Sequence, residues 1–110
     1  TKDVMTAMQK DTGLKIKALK VDGGASANDL LCSFQAGLLG MDVVRPRVIE
    51  ITSLGAAYLA GLASGYWKNA AEIAKCWRVD KVFRPRMARD EAARLYEGWQ
   101  NAVRRTLSAY

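Results

Sequence analysis

Histidine is absent from the 110 residues of this sequence, and cysteine is scarce. Without imidazole, a Ser-His-Asp triad, a Cys-His pair or a histidine-ligated metal cannot be built from this chain alone. The two cysteines, Cys32 and Cys76, lie far apart and form no CxxC pair, which argues against a zinc site. No signal-peptide pattern accompanies them. We therefore expect reduced packing thiols and a cytoplasmic protein.

Long hydrophobic runs are also absent. The longest nearly uncharged stretch, residues 51–67, is rich in Gly and Ala and is shorter than the roughly 20 residues of a membrane span, so no membrane contact is predicted. An excess of 17 Lys and Arg over 11 Asp and Glu gives a net charge of +6, with a basic cluster in residues 78–89. No helix-turn-helix, finger or interleaved aromatic pattern accompanies the cluster. We interpret it as solvated surface and predict no nucleic-acid partner.

Half of the residues are apolar and a quarter are charged, as in ordinary globular proteins. Apolar periodicity and helix-end residues predict helices at residues 2–10, 27–39, 53–64, 70–75 and 90–107, strands at 14–21 and 41–45, and an extended connector at 76–85. This order is typical of an α/β protein with parallel strands. Two strands are too few for a complete sheet, and the sequence begins with Thr1. We therefore expect a piece of a larger protein, whose exposed apolar faces favour self-association.

Particular residues are predicted to begin and end the helices. Ser26 and Asp29 have the spacing of a capping box, and Thr52 is a candidate N-cap for the following helix. Gly13 and Gly40 are placed to end the two preceding helices. The helix after Thr52 is dominated by Gly and Ala, although each glycine lowers helix propensity by about 1 kcal/mol. This composition predicts close approach of another element.

The segment DGGASAN, residues 22–28, carries the candidate binding chemistry. A predicted strand runs into Gly23-Gly24 and a helix follows at once, which is where α/β proteins bind ligands. Glycine lets a ligand approach the backbone, the helix start offers N–H groups to a phosphate or ribose oxygen, and the amide of Asn28 can read a purine edge. Neither GxGxxG nor a P-loop is present. A tight turn without a ligand, with Asp22 accepting backbone N–H bonds, is the alternative from this pattern alone.

Two further blocks extend the pattern: TSLGAAYLAGLA at residues 52–63 and YEGWQNAVRR at residues 96–105. Together with DGGASAN they make the sequence resemble, over nearly its whole length, the C-terminal part of the FGGY family of carbohydrate kinases. The resemblance implies an α/β fold, the C-terminal part of a ribonuclease-H-like, actin-like ATPase domain with few parallel strands flanked by helices. It implies that residues 1–85 belong to the nucleotide-binding domain and that residues 86–110 form an amphipathic helix packed on it.

The resemblance also implies a function and a site. The family transfers the γ-phosphate of ATP to a polyol or sugar, and the two later blocks point to members that phosphorylate glycerol, with xylulose or ribulose as alternative substrates. Gly24 and Asn28 would contact the nucleotide, and Gly23 and Ala25 would form the close wall. The aspartate that acts as base, most of the Mg²⁺ site and the polyol site would lie outside this chain, which alone would be inactive. Glycerol, ATP, Mg²⁺ and further copies of the same protein are the expected partners.

The sequence departs from the family pattern at a few positions. Asp29 stands where a second Asn is frequent, and Cys32-Ser33 and Gln100-Asn101 replace a Met-Gln and a Lys-Lys pair. None of these changes falls on Gly24 or Asn28, so the nucleotide site is expected to persist. A nucleotide-binding or protein-interaction module without catalysis is the alternative from a different class.

Overall fold

The structure, a computed structural model, describes residues 1–107 and shows helices around a small sheet. The α-helices are α1 (Lys2–Thr12), α2 (Asp29–Leu39), α3 (Ile51–Ala63), α4 (Ala70–Ala74) and α5 (Arg89–Leu107). The strands are β1 (Ala18–Lys20), β2 (Asp42–Pro46) and β3 (Val79–Phe83), and a 3₁₀ turn spans Gly24–Ala27. The predicted helices are confirmed to within a few residues, and Gly13 and Gly40 end α1 and α2 in the left-handed conformation.

The sheet is mixed, with β2 between β1 and β3. β1 is parallel to β2, so that Leu19 lies opposite Val43, and the two strands are joined through α2 in the manner of an α/β unit. β3 is antiparallel to β2, with Phe83 on the other side of Val43. The register becomes irregular between Arg45 and Pro46, because proline has no N–H to continue the ladder.

A small core forms where α2 covers the sheet. Val43 and Ala36 are fully buried, and Cys32 and Phe83 complete the cluster. Leu19 of β1 packs against its edge. The core therefore joins the first turns of α2 to the middle of the sheet, directly beneath the segment between β1 and α2.

Two predictions about strands are wrong. The first predicted strand, residues 14–21, is reduced to Ala18–Lys20, because the residues before Ala18 have no neighbouring strand within the described chain. The predicted connector at 76–85 contains β3, whose antiparallel pairing makes the sheet mixed rather than parallel. β3 is largely exposed and carries Asp80 and Lys81. Such an edge strand forms because β2 offers a partner, a fact that local sequence does not contain.

Helix α3 shows why small residues are placed along it. A Cβ at Gly61 would overlap the six-membered ring of Trp67, so the indole rests directly on the helix backbone. Trp67 also makes edge-on contacts with Tyr58 and Tyr66, with ring centroids 5.1 and 4.7 Å apart. The predicted close approach is confirmed at Gly61, whereas a Cβ at Gly55 would meet nothing within 4 Å. The N-cap assigned to Thr52 is wrong, because α3 begins at Ile51 after Glu50, with no side-chain cap.

Helix α5 packs against α2 and is tied to α1 by one carboxylate. Asp3 accepts hydrogen bonds from the Tyr96 hydroxyl and, at 2.7 Å, from the indole N–H of Trp99. These hydrogen bonds hold the pKa of the Asp3 carboxyl below its ordinary value, and the bond from Tyr96 has the larger effect of the two. The predicted unit at residues 86–110 thus contains α5, while its residues 108–110 lie outside the described part of the chain.

Much apolar surface of the chain is open to solvent. Leu30 is 79% exposed, Leu59 71% and Leu14 68%. The radius of gyration is 17.6 Å, compared with about 13 Å for a compact domain of this length. The expected exposure of apolar faces is confirmed, and their self-association stays a prediction. None of the helices within residues 1–107 is both long enough and apolar enough to cross a membrane.

Candidate functional site

The segment between β1 and α2 forms a tightly closed turn, residues 23–28, which we call the glycine turn. Gly23 has φ 78° and ψ 167°, a conformation that only glycine adopts without strain. Its N–H donates to Ile49 O at 2.8 Å, and its carbonyl accepts from both the N–H and the hydroxyl of Ser26, at 3.0 and 2.7 Å. Ser26 is buried, whereas Gly24, Ala25 and Asn28 are exposed. The turn is thus anchored from beneath and presents the predicted contact residues to solvent.

Asn28 is the residue that caps α2. Its side-chain Oδ1 accepts the N–H of Leu31 at 3.1 Å, and the helix begins at Asp29. The predicted capping box of Ser26 and Asp29 is therefore wrong, since Ser26 lies one turn earlier in the 3₁₀ segment and bonds Gly23. The cap also uses an N–H that was expected to face a ligand. What Asn28 still offers is its Nδ2 amide, which donates to no residue within 1–107.

Gly24 is a glycine that the fold itself does not require. Its φ is outside the left-handed region, and an added Cβ would meet no atom within 4 Å. The flat, bare backbone at Gly24 therefore suits the close approach of a planar group such as a nucleobase.

Arg45, at the end of β2, is the main residue supporting the glycine turn, and the sequence analysis did not single it out. Its Nη1 lies 2.9 Å from Ser26 O and 3.2 Å from Ala27 O, so that it holds two carbonyls of the glycine turn. The same nitrogen donates to Asp29 at 2.8 Å, and Nε donates to Asp80 on β3 at 2.8 Å. The parallel strands β1 and β2 end side by side at one edge of the sheet. A charged residue at the end of β2 was therefore the sequence signal that could have pointed to Arg45.

The charges around the turn are balanced by pairing. Lys81 lies 2.6 Å from Asp29, which thereby binds both Lys81 and Arg45. Hydrogen bonds from Lys81 and then from Arg45 hold the pKa of the Asp29 carboxyl below its ordinary value. Burial raises the pKa of the Cys32 thiol, which donates to Ser26 O at 3.3 Å. Cys32 is therefore a neutral packing residue beneath the turn.

The arrangement is suited to binding rather than to bond-making. The exposed part of the turn offers backbone and one amide, and contains no nucleophile next to a base. Residues 1–107 contain no group of three or more His, Cys, Asp or Glu side chains placed to hold a metal ion. Asp22 is exposed and its carboxylate accepts no hydrogen bond within the described chain, so the predicted bonds to backbone N–H groups are not formed.

The fold is that of solved carbohydrate kinases. The crystal structure of Plasmodium falciparum glycerol kinase with ADP matches 94% of this chain with a TM-score of 0.74 and 29% identity. The structure of ligand-bound xylulose kinase from Lactobacillus acidophilus matches 87% with a TM-score of 0.67 and 26% identity. This chain covers 21% and 20% of those two chains. Fold and glycine turn together define part of an actin-like ATPase domain.

The family follows from the sequence of that domain. Residues 1–64, more than half of the chain, match the C-terminal domain of the FGGY family of carbohydrate kinases. The chain belongs to this family, which confirms the resemblance.

Curated relatives narrow the similarity further. Glycerol kinase of Caldanaerobacter subterraneus subsp. tengcongensis is 56% identical over 97% of this chain, and glycerol kinase of Xanthomonas axonopodis pv. citri is 55% identical over the same share. The chain spans only about a fifth of the length of these relatives, 22% and 21% respectively.

Proposed function

We propose that this chain is the C-terminal, nucleotide-binding part of a kinase that transfers the γ-phosphate of ATP to glycerol, giving ADP and sn-glycerol 3-phosphate. The observation that carries the proposal is the similarity to glycerol kinases, which reaches 56% identity over 97% of the chain. The similarity includes the glycine turn, the alanine-rich α3 and α5. We call the whole protein, of which this chain forms the C-terminal part, the complete kinase.

The geometry of the glycine turn supports a role in binding the adenosine of ATP. The base would lie on the bare backbone at Gly24, with Gly23 and Ala25 forming the wall and the Nδ2 amide of Asn28 donating to an acceptor on the purine. Space is available there, since a Cβ at Gly24 would contact nothing. The solved relative from Plasmodium falciparum contains ADP.

The remaining parts of the reaction are proposed to lie outside this chain. Phosphoryl transfer depends on positioning both substrates and neutralising the phosphate charge. We propose that Mg²⁺ accompanies ATP, and that the aspartate base and the polyol site belong to the preceding part of the complete kinase. The chain alone is then expected to be inactive. Production of glycerol 3-phosphate by the isolated chain would contradict this division.

Three further expectations belong to the same proposal. Residues 1–85 would complete the nucleotide-binding domain and residues 86–110 would close it, in keeping with the packing of α5 on α2. The unpaired thiols of Cys32 and Cys76 support a cytoplasmic location. The complete kinase would be a homo-oligomer, which sedimentation analysis of the purified protein would test.

A coupled assay of the complete kinase with glycerol, xylulose and ribulose tests the substrate. We expect the highest kcat/KM for glycerol. A higher kcat/KM for xylulose would favour the alternative, another kinase of the same family. The structural similarity to xylulose kinase is the observation that supports this alternative. ADP binding without phosphorylation of any of these compounds would favour a non-catalytic module.

A further inference from the structure

Arg45 is the point at which four parts of the molecule meet. It lies at the end of β2, reaches two carbonyls of the glycine turn, and forms ion pairs with Asp29 at the start of α2 and Asp80 on β3. Its side chain is only 12% exposed. A guanidinium group can donate in several directions within one plane, which suits a residue that must hold separate elements at once.

The two carbonyls that Arg45 binds determine how the glycine turn faces outward. Ser26 and Ala27 stand between Gly24 and Asn28 in the chain, so fixing their peptide planes fixes the directions of the residues on either side. The opposite side of the turn is held by the N–H of Gly23 on Ile49 O. The guanidinium is thus the side-chain cation that ties the middle of the turn to the sheet.

The surroundings of Arg45 keep it away from a ligand. Its charge is shared between two carboxylates, and its guanidinium carbon lies 5.2 Å from the centre of the Phe83 ring. Asp29 is held in turn by Lys81. A cation already paired on two sides and largely covered has little to offer a phosphate, so its effect on ligand binding must pass through the backbone that it holds.

We infer that Arg45 is a positioning residue for nucleotide binding, which holds the carbonyls of Ser26 and Ala27 so that Gly24 and Asn28 meet the adenosine of ATP. This inference rests on the proposed function. It assigns to the β2 end, and through it to Asp80 on β3, a role in nucleotide affinity although neither residue touches the nucleotide.

The test compares variants of the complete kinase at a temperature well below unfolding. Arg45→Met removes the fork while keeping an unbranched side chain, and Arg45→Lys keeps one cation that can reach the carbonyls but not both carboxylates. Arg47→Met is the matched control, since Arg47 lies two residues further on, is exposed, and within residues 1–107 forms no side-chain hydrogen bond or ion pair, only the bond from its backbone N–H to Arg78 O. ADP dissociation constants, the KM values for ATP and glycerol, kcat and the thermal midpoint are measured for each.

We expect the ADP dissociation constant and the KM for ATP to rise about tenfold in Arg45→Met, the effect of losing charge-assisted hydrogen bonds, and about threefold in Arg45→Lys. The KM for glycerol, and kcat at saturating ATP, should change less than twofold. Arg47→Met should match the wild type. If Arg45→Met binds ADP as the wild type does while its thermal midpoint falls, Arg45 only stabilises the fold and the inference is overturned.

A second variant covers the case in which Arg45→Met does not fold. Asp80→Asn leaves Arg45 in place and removes only one of its ion pairs, so we expect a two- to threefold weaker ADP affinity in a folded protein. Unchanged ADP affinity in Asp80→Asn and Arg45→Lys together would overturn the inference. Failure of the proposed function gives a different result: a wild type that binds ADP but does not phosphorylate glycerol, with the same dependence of ADP binding on Arg45.

Discussion

The glycine turn and helix α3 both concentrate small residues, but the space left by the missing side chains is used differently. At Gly61 of α3 the space is filled by the chain itself, because the ring of Trp67 lies against the backbone. At Gly24 the space is open, and no atom lies within 4 Å of where a Cβ would be. A glycine covered by its own protein serves packing, whereas the open space at Gly24 lies in the turn between β1 and α2, where a ligand can approach the backbone.

The two regions also differ in what holds them. The contact of α3 with Trp67 is apolar and aromatic, with Tyr58 and Tyr66 around the indole. The glycine turn is held by hydrogen bonds and ion pairs that converge on Arg45. Substitutions in α3 should therefore change stability, and substitutions in the turn should change nucleotide affinity.

The largest expected effect separates two glycines of the same helix. Gly61→Ala places a methyl group inside the Trp67 ring and should destabilise the complete kinase by about 1–3 kcal/mol. Gly55→Ala, with open space around it, should stabilise it by up to about 1 kcal/mol through helix propensity. Thermal and urea midpoints measure both. Equal midpoints for the two variants would show that the packing of Trp67 on α3 does not require the absence of a side chain at Gly61.

The next effect is expected at Gly24. Gly24→Ala should leave stability within about 0.5 kcal/mol of the wild type, because the fold has room for the methyl group. ADP affinity, measured by calorimetry, should fall about tenfold, or about 1.4 kcal/mol, because the base can no longer approach the backbone. Gly98→Ala adds the same group at an open position on α5 and serves as control. Wild-type ADP affinity in Gly24→Ala would show that the nucleotide does not bind against the glycine turn.

Asn28 combines both kinds of role, and two substitutions separate them. In Asn28→Ala, loss of the helix cap should lower the stability of the protein by about 1 kcal/mol. Loss of the amide donor should weaken nucleotide binding by about 0.5–1.5 kcal/mol. Asn28→Ser keeps a capping oxygen, so it should bind ADP as weakly as the alanine variant while remaining more stable. Glycerol binding should change little in either. A serine variant with wild-type ADP affinity would leave Asn28 with the cap alone.

The smallest effect concerns low pH. The glycine turn, with its ion pairs, should respond to it, whereas the apolar contact of α3 with Trp67 should not. Because the pKa of Asp29 is lowered by Lys81 and Arg45, its stabilising contribution is present above the unfolded value of about 3.9 and is lost as pH falls through the lowered pKa. NMR titration of the carboxyl groups, with Asp29→Asn for assignment, measures this pKa. It should move toward its ordinary value in Lys81→Met and, by less, in Arg45→Met. An unchanged pKa in both variants would contradict the pairing.

Prediction from the sequence was most successful where local pattern decides the structure. The apolar periodicity of α2 and α5 is sufficient to place these helices, and the paired glycines locate the turn. Prediction failed where distant residues compete. Ser26 and Asn28 are both good caps, but Ser26 is held by its hydrogen bonds with Gly23 and Cys32, which leaves Asn28 to begin the helix. The exposed, charged strand β3 becomes visible only beside β2.

The amino-acid sequence by itself determined the family and the positions of the helices, and it predicts the residues that a nucleotide would contact, because each depends on neighbouring residues and on motifs. The tertiary structure alone decided what supports those residues. Arg45 reaches Ser26 and Ala27 because β1 and β2 are parallel and end together, and it reaches Asp80 because β3 pairs with β2 in one particular register. These contacts join residues far apart in the chain, and no local pattern specifies such partners.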